Sequence, residues 1–149
     1  MILRTATARD LDALTAVEAA CFPAAEAATR EELAERLRAY GDHFWLLFDG
    51  ETLVSFVDGM VTDLPDLTDE MYADTSFHDE NGAWQMIFGV NTLPAYRKQG
   101  FAGRLLERAI ADAKAQGRKG LVLTCKDRLV HYCAKLGFVN EGVSESVHG

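Results

Sequence analysis

The 149-residue sequence contains no run of about 18 apolar residues, so no membrane-spanning helix is expected. Its first residues, Met1-Ile2-Leu3-Arg4-Thr5-Ala6, lack the apolar centre of a secretory leader. Cysteine is scarce: three residues, an odd number, at spacings that suit no metal. A disulfide framework is therefore not expected, and a reduced, cytoplasmic setting is. No basic stripe is interleaved with aromatics, which argues against nucleic acid as a partner. Repeats, low-complexity tracts and interdomain linkers are absent too, and the length suits a single domain, residues 1–149.

What is present is an apolar content of 48%, enough for a real core, and an uneven charge. The net charge of −8 divides into −13 over residues 1–80 and +5 over residues 81–149. A basic second half fits an anionic cofactor, and an acidic first half fits a cationic substrate such as an amine. The plain alternative for the acidic half is solubility.

The chain is organised around residues 84–115. Trp84-Gln85-Met86-Ile87-Phe88-Gly89-Val90-Asn91-Thr92 is an apolar strand. A turn containing Arg97, Lys98 and Gly100 follows, and then a helix whose Leu105, Leu106, Ala109, Ile110 and Ala113 share one face. A strand feeding a helix through a glycine turn aims free backbone N–H groups at one point. That point is the positive end of the helix dipole and suits phosphate. Gly100 carries no side chain to obstruct a close ligand. The pattern is neither a Walker A loop, since no Gly-Lys-Ser/Thr follows, nor a Gly-x-Gly-x-x-Gly dinucleotide fingerprint.

In order, Ile2–Ala6 reads as a strand, and Thr7-Ala8-Arg9-Asp10 as a capping box opening a helix with Leu11, Leu14 and Val17 on one face. Cys21-Phe22-Pro23 ends that helix. Thr29-Arg30-Glu31-Glu32 caps a second helix, which buries Leu33, Leu37 and Tyr40 and stops at Gly41. Phe44–Phe48 and Thr52–Val57 pair through an Asp49-Gly50 hairpin, and Asp58-Gly59-Met60 extends the second strand. The acidic stretch Asp63–Gly82 is expected as a surface loop with one helical turn near Thr68–Tyr72. After the central unit come a strand at Leu121–Cys125 and a short helix at Leu129–Lys135. The order β-α-α-β-β-β-α-β-α-β predicts an α/β (α+β) fold, a mixed sheet with helices on both faces.

Arg97-x-x-Gly100-x-Ala102, set between this strand and this helix, resembles the pyrophosphate signature of the GNAT superfamily of N-acetyltransferases. The resemblance implies a mostly antiparallel central sheet and acetyl-CoA as the acetyl donor. It implies cofactor contacts from Val90, Asn91 and Thr92 to the pantetheine arm. It implies further contacts from Arg97, Lys98, Gln99, Gly100, Phe101, Ala102 and Gly103 to the diphosphate. The superfamily normally adds a last strand after Gly137-Phe138; here that strand is short or missing, which leaves a sheet edge open to homodimerisation. Cys21-Phe22-Pro23, the Asp49-Gly50 hairpin, Leu67-Thr68-x-Glu70 and Cys125-Lys126-Asp127-x-Leu129-Val130 resemble the arylalkylamine (serotonin-type) branch. That branch implies a primary amine as acceptor.

Two departures bear on chemistry. Where the branch has histidines that relay the amine's proton, this chain has Met86 and Phe88, neither of which titrates. Where it has a general-acid tyrosine, this chain has Cys133, with Tyr132 one residue earlier. Both stand as candidate proton donors to the coenzyme A thiolate, Tyr132 being favoured for its directed hydroxyl. Gly89 and Asn91 are expected at a distortion of the central strand. Asp58, Glu70, His78 and Asp79 are candidate bases or amine anchors, each otherwise a solvated loop or strand-end residue. The expected activity is acetyl transfer from acetyl-CoA to a primary amine. The alternatives are an acyl-CoA-binding module without turnover, or a protein N-terminal or lysine acetyltransferase.

Overall fold

The computed structural model describes residues 1–64 and 67–123. The chain begins with β1 (Ile2–Thr5), followed by α1 (Leu11–Cys21) and α2 (Arg30–Tyr40). A short 3₁₀ turn at Ala8–Asp10 leads into α1. There the Asp10 carboxylate accepts the Thr7 N–H at 2.7 Å and is held by Arg4 at 2.8 Å. Thr29 caps α2 as expected: its hydroxyl accepts the Glu32 N–H, and the Glu32 carboxylate accepts the Thr29 N–H in return.

Next come β2 (Phe44–Asp49) and β3 (Thr52–Asp58). Asp49 stands opposite Thr52, so Gly50-Glu51 forms a two-residue turn, and Gly50 has φ +60°. β4 (Val61–Thr62) is a separate short strand, not an extension of β3. The acidic stretch is better built than a surface loop. It carries α3 (Asp69–Ala73) and a 3₁₀ turn at Thr75–Phe77, and Leu67 and Met71 are buried. β5 (Trp84–Ile87), β6 (Gly89–Thr92), α4 (Phe101–Ala115) and β7 (Gly120–Leu123) complete the described elements.

The strands form two sheets, ordered β1-β2-β3-β6 and β4-β5-β7. All pairings are antiparallel except β5 with β7. Bonds from Phe88 N–H to Asp58 O (2.7 Å) and from Met86 N–H to Met60 O (2.8 Å) carry the hydrogen bonding across the junction of the two. One face packs under α1, α2 and α3 through Leu14, Val17, Leu33, Phe44, Phe56 and Met86. The other packs under α4, where Leu105, Leu106 and Ala109 meet Trp45, Val57 and Ile87. Trp45 adds a directional tie, its indole N–H reaching Asp112 Oδ2 at 2.8 Å. This is the expected mixed, mostly antiparallel sheet with helices on both faces. No helix among the described residues is long and apolar enough to cross a membrane.

The end of the last expected strand at Cys125, the helix at Leu129–Lys135, the candidates Tyr132 and Cys133, and the sheet edge behind the dimer expectation lie outside the described residues.

Candidate functional site

The turn between β6 and α4 is built from backbone geometry. Gly100 sits at φ +79° and Lys98 at φ +64°, a left-handed conformation uncommon for a residue with a Cβ. These two positions swing the chain into α4. Arg104 N–H is taken by Gly100 O at 3.1 Å, whereas the N–H groups of Phe101, Ala102 and Gly103 belong to the first turn of a 15-residue helix and have no intrahelical acceptor. A Cβ at Gly100 would meet nothing within 4 Å, so its surface is open. Lys98, Gln99 and Gly100 are exposed beside it. Arg97 is also exposed, but its Nε donates to Thr92 O at 3.0 Å, which folds the side chain back along the strand. The Cys21 thiol reaches the same carbonyl at 3.4 Å. Burial pushes that thiol's pKa up, so it stays protonated.

The central strand breaks at Phe88, between β5 and β6, and not at Gly89 or Asn91. Gly89 and Asn91 are in regular register opposite Asp58 and Phe56. The reason is that Phe88 N–H turns to Asp58 O, one residue out of that register. Val57 and Val90, and Ser55 and Thr92, stand opposite one another in the same ladder. Among the described residues β6 has no partner on its other side, and Val90 is exposed there.

Beneath this break lies a buried polar cluster. Asp58 is only 1% exposed, and burial pushes its carboxyl up to about 7 against the opposing pull of Arg36. It is therefore neither a solvated strand end nor an ordinary carboxylate. Arg36 reaches in from α2: Nη1 stands 3.6 Å from Asp58 Oδ2, Nη2 donates to Tyr72 O at 2.8 Å, and the guanidinium lies 5.7 Å from the centre of the Phe88 ring. Asn91 Nδ2 donates to Glu18 Oε1 at 3.0 Å, and Glu18 Oε2 accepts the Ala28 N–H at 2.9 Å. Tyr40 is 2% exposed, and burial drives its hydroxyl pKa well above the ordinary tyrosine value. Asp58 Oδ2, Asn91 Oδ1, Arg36 Nε and the Tyr40 hydroxyl have no hydrogen-bond partner among the described residues. Buried polar atoms are seldom left unpaired, so four in one cluster mark a place built for something more than packing.

The sequence puts Asn91 at the cofactor through its strand backbone; its side chain points into this cluster, with 1% exposure. Met86 and Phe88 are apolar contacts of the α1–α2 core. The sequence reading misses Arg36 and Glu18. Both have a visible signal: Arg36 lies three residues after Leu33 and four before Tyr40, and Glu18 lies four after Leu14, so each falls on its helix's apolar face.

Of the other candidates, His78 packs its ring against Tyr40, centroids 5.2 Å apart, whereas Glu70 and Asp79 are not brought to the cluster. Glu70 is exposed on α3. Asp79 is exposed, and its Oδ1 accepts the Asn81 N–H. His78 Nδ1 accepts the Val61 N–H at 3.0 Å, so Nε2 carries the proton that it shares with Glu80 Oε1 at 3.1 Å. Burial holds His78 below the ordinary histidine range. His43 and Arg118 also bond to Glu80, at 2.9 and 3.2 Å. With both ring nitrogens occupied, His78 is a fastener for the 63–82 segment.

A strand broken beside a buried carboxyl and a glycine turn opening a helix define the class of protein, and comparison with known families agrees. The profile of the acetyltransferase (GNAT) family matches residues 11–138, and the chain belongs to that family. No curated protein matches. Among solved structures, the GphF GNAT-like decarboxylase in complex with isobutyryl-CoA is 31% identical, with a TM-score of 0.76 over 93% of this chain and 73% of that one. The loading GNATL domain of CurA from Lyngbya majuscula is 25% identical, with a TM-score of 0.76 over 88% of this chain and 67% of that one. A putative acetyltransferase from Agrobacterium tumefaciens str. C58 shares the fold at 20% identity, with a TM-score of 0.72 over the whole of both chains.

Proposed function

We propose that residues 1–149 act as one acyl-CoA-dependent N-acyltransferase, moving an acetyl group from acetyl-CoA to a primary amine, the arylalkylamines being one candidate class. The observation that carries this reading is Asp58: a buried carboxyl with a pKa of about 7, one strand away from the break at Phe88. A base poised near neutrality suits removal of an ammonium proton. It supplies from β3 the function that Met86 and Phe88 cannot supply from the central strand. In this reading Asp58 takes one proton from the amine. The nitrogen lone pair then bonds to the thioester carbon, the C–S bond breaks, the second nitrogen proton leaves to solvent, and the coenzyme A sulfur is protonated by Tyr132 or Cys133, which regains its proton from solvent. The first-turn N–H groups of α4, with Lys98, Gln99 and Gly100, would hold the diphosphate, while Arg97 lies along Thr92. The open side of β6 at Val90 and Thr92 would take the pantetheine arm. The family membership and the isobutyryl-CoA in complex with the GphF decarboxylase support the donor class.

A second reading is decarboxylation of a carboxyacyl-CoA. It is favoured by the 31% identity to a GNAT-like decarboxylase and by the buried Arg36, which offers a cation to a carboxylate. One experiment separates the two. Purified protein is given acetyl-CoA with an amine panel, and malonyl-CoA without amine, while free thiol and CO₂ are followed. Amine-dependent thiol release supports acyl transfer. CO₂ release from malonyl-CoA with no amine-dependent thiol release would replace it with decarboxylation.

A further inference from the structure

The polar cluster under the strand break presents both signs of hydrogen-bonding group, and its orientation is fixed from behind. Glu18 is pinned by the Ala28 N–H and takes the Asn91 Nδ2 donor, which turns the Asn91 Oδ1 acceptor the other way. Asp58 and Asn91 then meet across Gly89: a Cβ on Gly89 would lie 3.0 Å from Asp58 Oδ1 and 3.5–3.8 Å from the Asn91 amide atoms. Gly89 is half-buried and Val90 exposed, so the open side of β6 lies beside this position, and Gly89 itself adds no side chain there. The unpartnered atoms are three that can accept, Asp58 Oδ2, Asn91 Oδ1 and the Tyr40 oxygen, and one cationic donor, Arg36 Nε.

A primary ammonium carries three N–H groups and uses three acceptors. The remaining Arg36 N–H asks for an acceptor that is best anionic, because charge-assisted bonds to a guanidinium are the stronger ones. An arylalkylamine satisfies the acceptors and leaves Arg36 Nε unpaired. A molecule carrying a carboxylate close to its amine satisfies both. Resting on the acyl-transfer reading, we propose that the acceptor is an amino acid, its amine on Asp58 and Asn91 and its carboxylate on Arg36. The reaction balances as before: Asp58 takes one proton from the ammonium, the N–C bond forms as the C–S bond breaks, the second nitrogen proton leaves to solvent, the sulfur is protonated by Tyr132 or Cys133, which regains its proton from solvent, and the carboxylate stays ionised and unchanged.

Matched pairs test this, each an amino acid and the amine that lacks only its carboxylate: phenylalanine with phenethylamine, tryptophan with tryptamine, and leucine with isopentylamine. Thiol release from acetyl-CoA is followed for each. At least one amino acid should exceed its partner in kcat/KM by about 10-fold or more, since sites that bond a polar group discriminate strongly against its loss. In Arg36→Met that ratio should fall towards one. The ratio cancels any general loss that follows from exposing Asp58 to a changed neighbourhood, and circular dichroism checks folding. If Arg36→Met does not fold, Asn91→Leu serves instead: it should weaken both members of a pair together and leave the ratio intact. Amines used as well as or better than their amino acids would overturn this inference and leave acyl transfer standing. No thiol release with either series would overturn both.

Discussion

Arg36 Nη1 stands 3.6 Å from Asp58 Oδ2, close enough for Coulombic attraction and too far for a good hydrogen bond. Both side chains are nearly sealed from solvent, at 7% and 2% exposure. An ion pair at ideal distance would hold the carboxyl ionised. This one is loose, so burial wins, and Asp58 titrates near neutrality.

The first prediction is a pH profile. A base works only when deprotonated, so kcat/KM for an acceptor amine should rise through a single ionisation at about pH 7. Asp58→Asn should lower kcat/KM by about 10²-fold or more, the common scale of acid–base catalysis, and should remove that limb. A variant that keeps the limb would assign the ionisation to another group.

The same shift governs stability with the opposite slope. Asp58 has its pKa raised from 3.8 to about 7 on folding, so between those values the native state keeps a proton that the unfolded state releases. This contribution is fully present below about pH 4 and is lost as pH rises to about 7. At about 1.4 kcal/mol per unit, with part offset by relaxation around the charge, the loss is on the order of 2–4 kcal/mol. Urea melts of wild type and Asp58→Asn at about pH 4.5, 6 and 7.5 should show their difference moving against wild type as pH rises. A constant difference would place the titration elsewhere.

Gly100 tests the phosphate turn. Its position is open and at φ +79°, so a glutamate there adds strain, bulk and negative charge beside the first N–H groups of α4. Calorimetry should show affinity for coenzyme A falling by about 10-fold or more in Gly100→Glu. Unchanged affinity would move the diphosphate elsewhere.

The proton to the departing thiolate is tested by Tyr132→Phe and Cys133→Ala, assayed with one acceptor. In the helix that the sequence leads one to expect at Leu129–Lys135, neighbours would point about 100° apart, so one of the pair is expected to serve. Tyr132→Phe is expected to cost about 10²-fold in kcat, and Cys133→Ala to change little. The reverse pattern gives the role to Cys133.

Gly59 is expected to accept no substitution. A Cβ there would lie 1.7 Å from Met86 O, and a backbone atom has no rotamer by which to yield. Gly59→Ala should therefore destabilise by more than the roughly 1–3 kcal/mol usual for overpacking, visible as a lowered urea midpoint or loss of soluble protein. A midpoint equal to wild type would contradict the close packing of β5 on this segment.

Local signals are legible in the sequence. The Thr29 capping box, the Gly50 hairpin and the α4 face of Leu105, Leu106 and Ala109 each depend on neighbours within a few residues, and all three are found. Sequence alone favours Gly89 and Asn91 for the strand break because glycine is the usual mark of a distortion. The break falls at Phe88 because the register there is set by Asp58, 30 residues away, which no local pattern reports. Asp58 reads as a strand-end charge for the same reason: what surrounds it, Arg36 of α2 included, comes from elements distant in the sequence. Arg36 and Glu18 lie on apolar helix faces in plain view, but charged residues are expected at the surface unless paired, and their partners come from other elements.

The parallel pairing of β5 with β7 has a kinetic consequence. Trp84 can meet Gly120 only after the chain between them has come round, with α4 docked on the sheet. β2 and β3, by contrast, pair through a hairpin that closes over two residues. Closing the longer loop costs entropy before its contacts return anything, so the β2–β3 hairpin should form early and the β5–β7 seam late. The glycine turn lies inside that late-closing segment. The surface offered to a phosphate would then be among the last parts of the chain to take shape during folding and the first exposed when it begins to come apart.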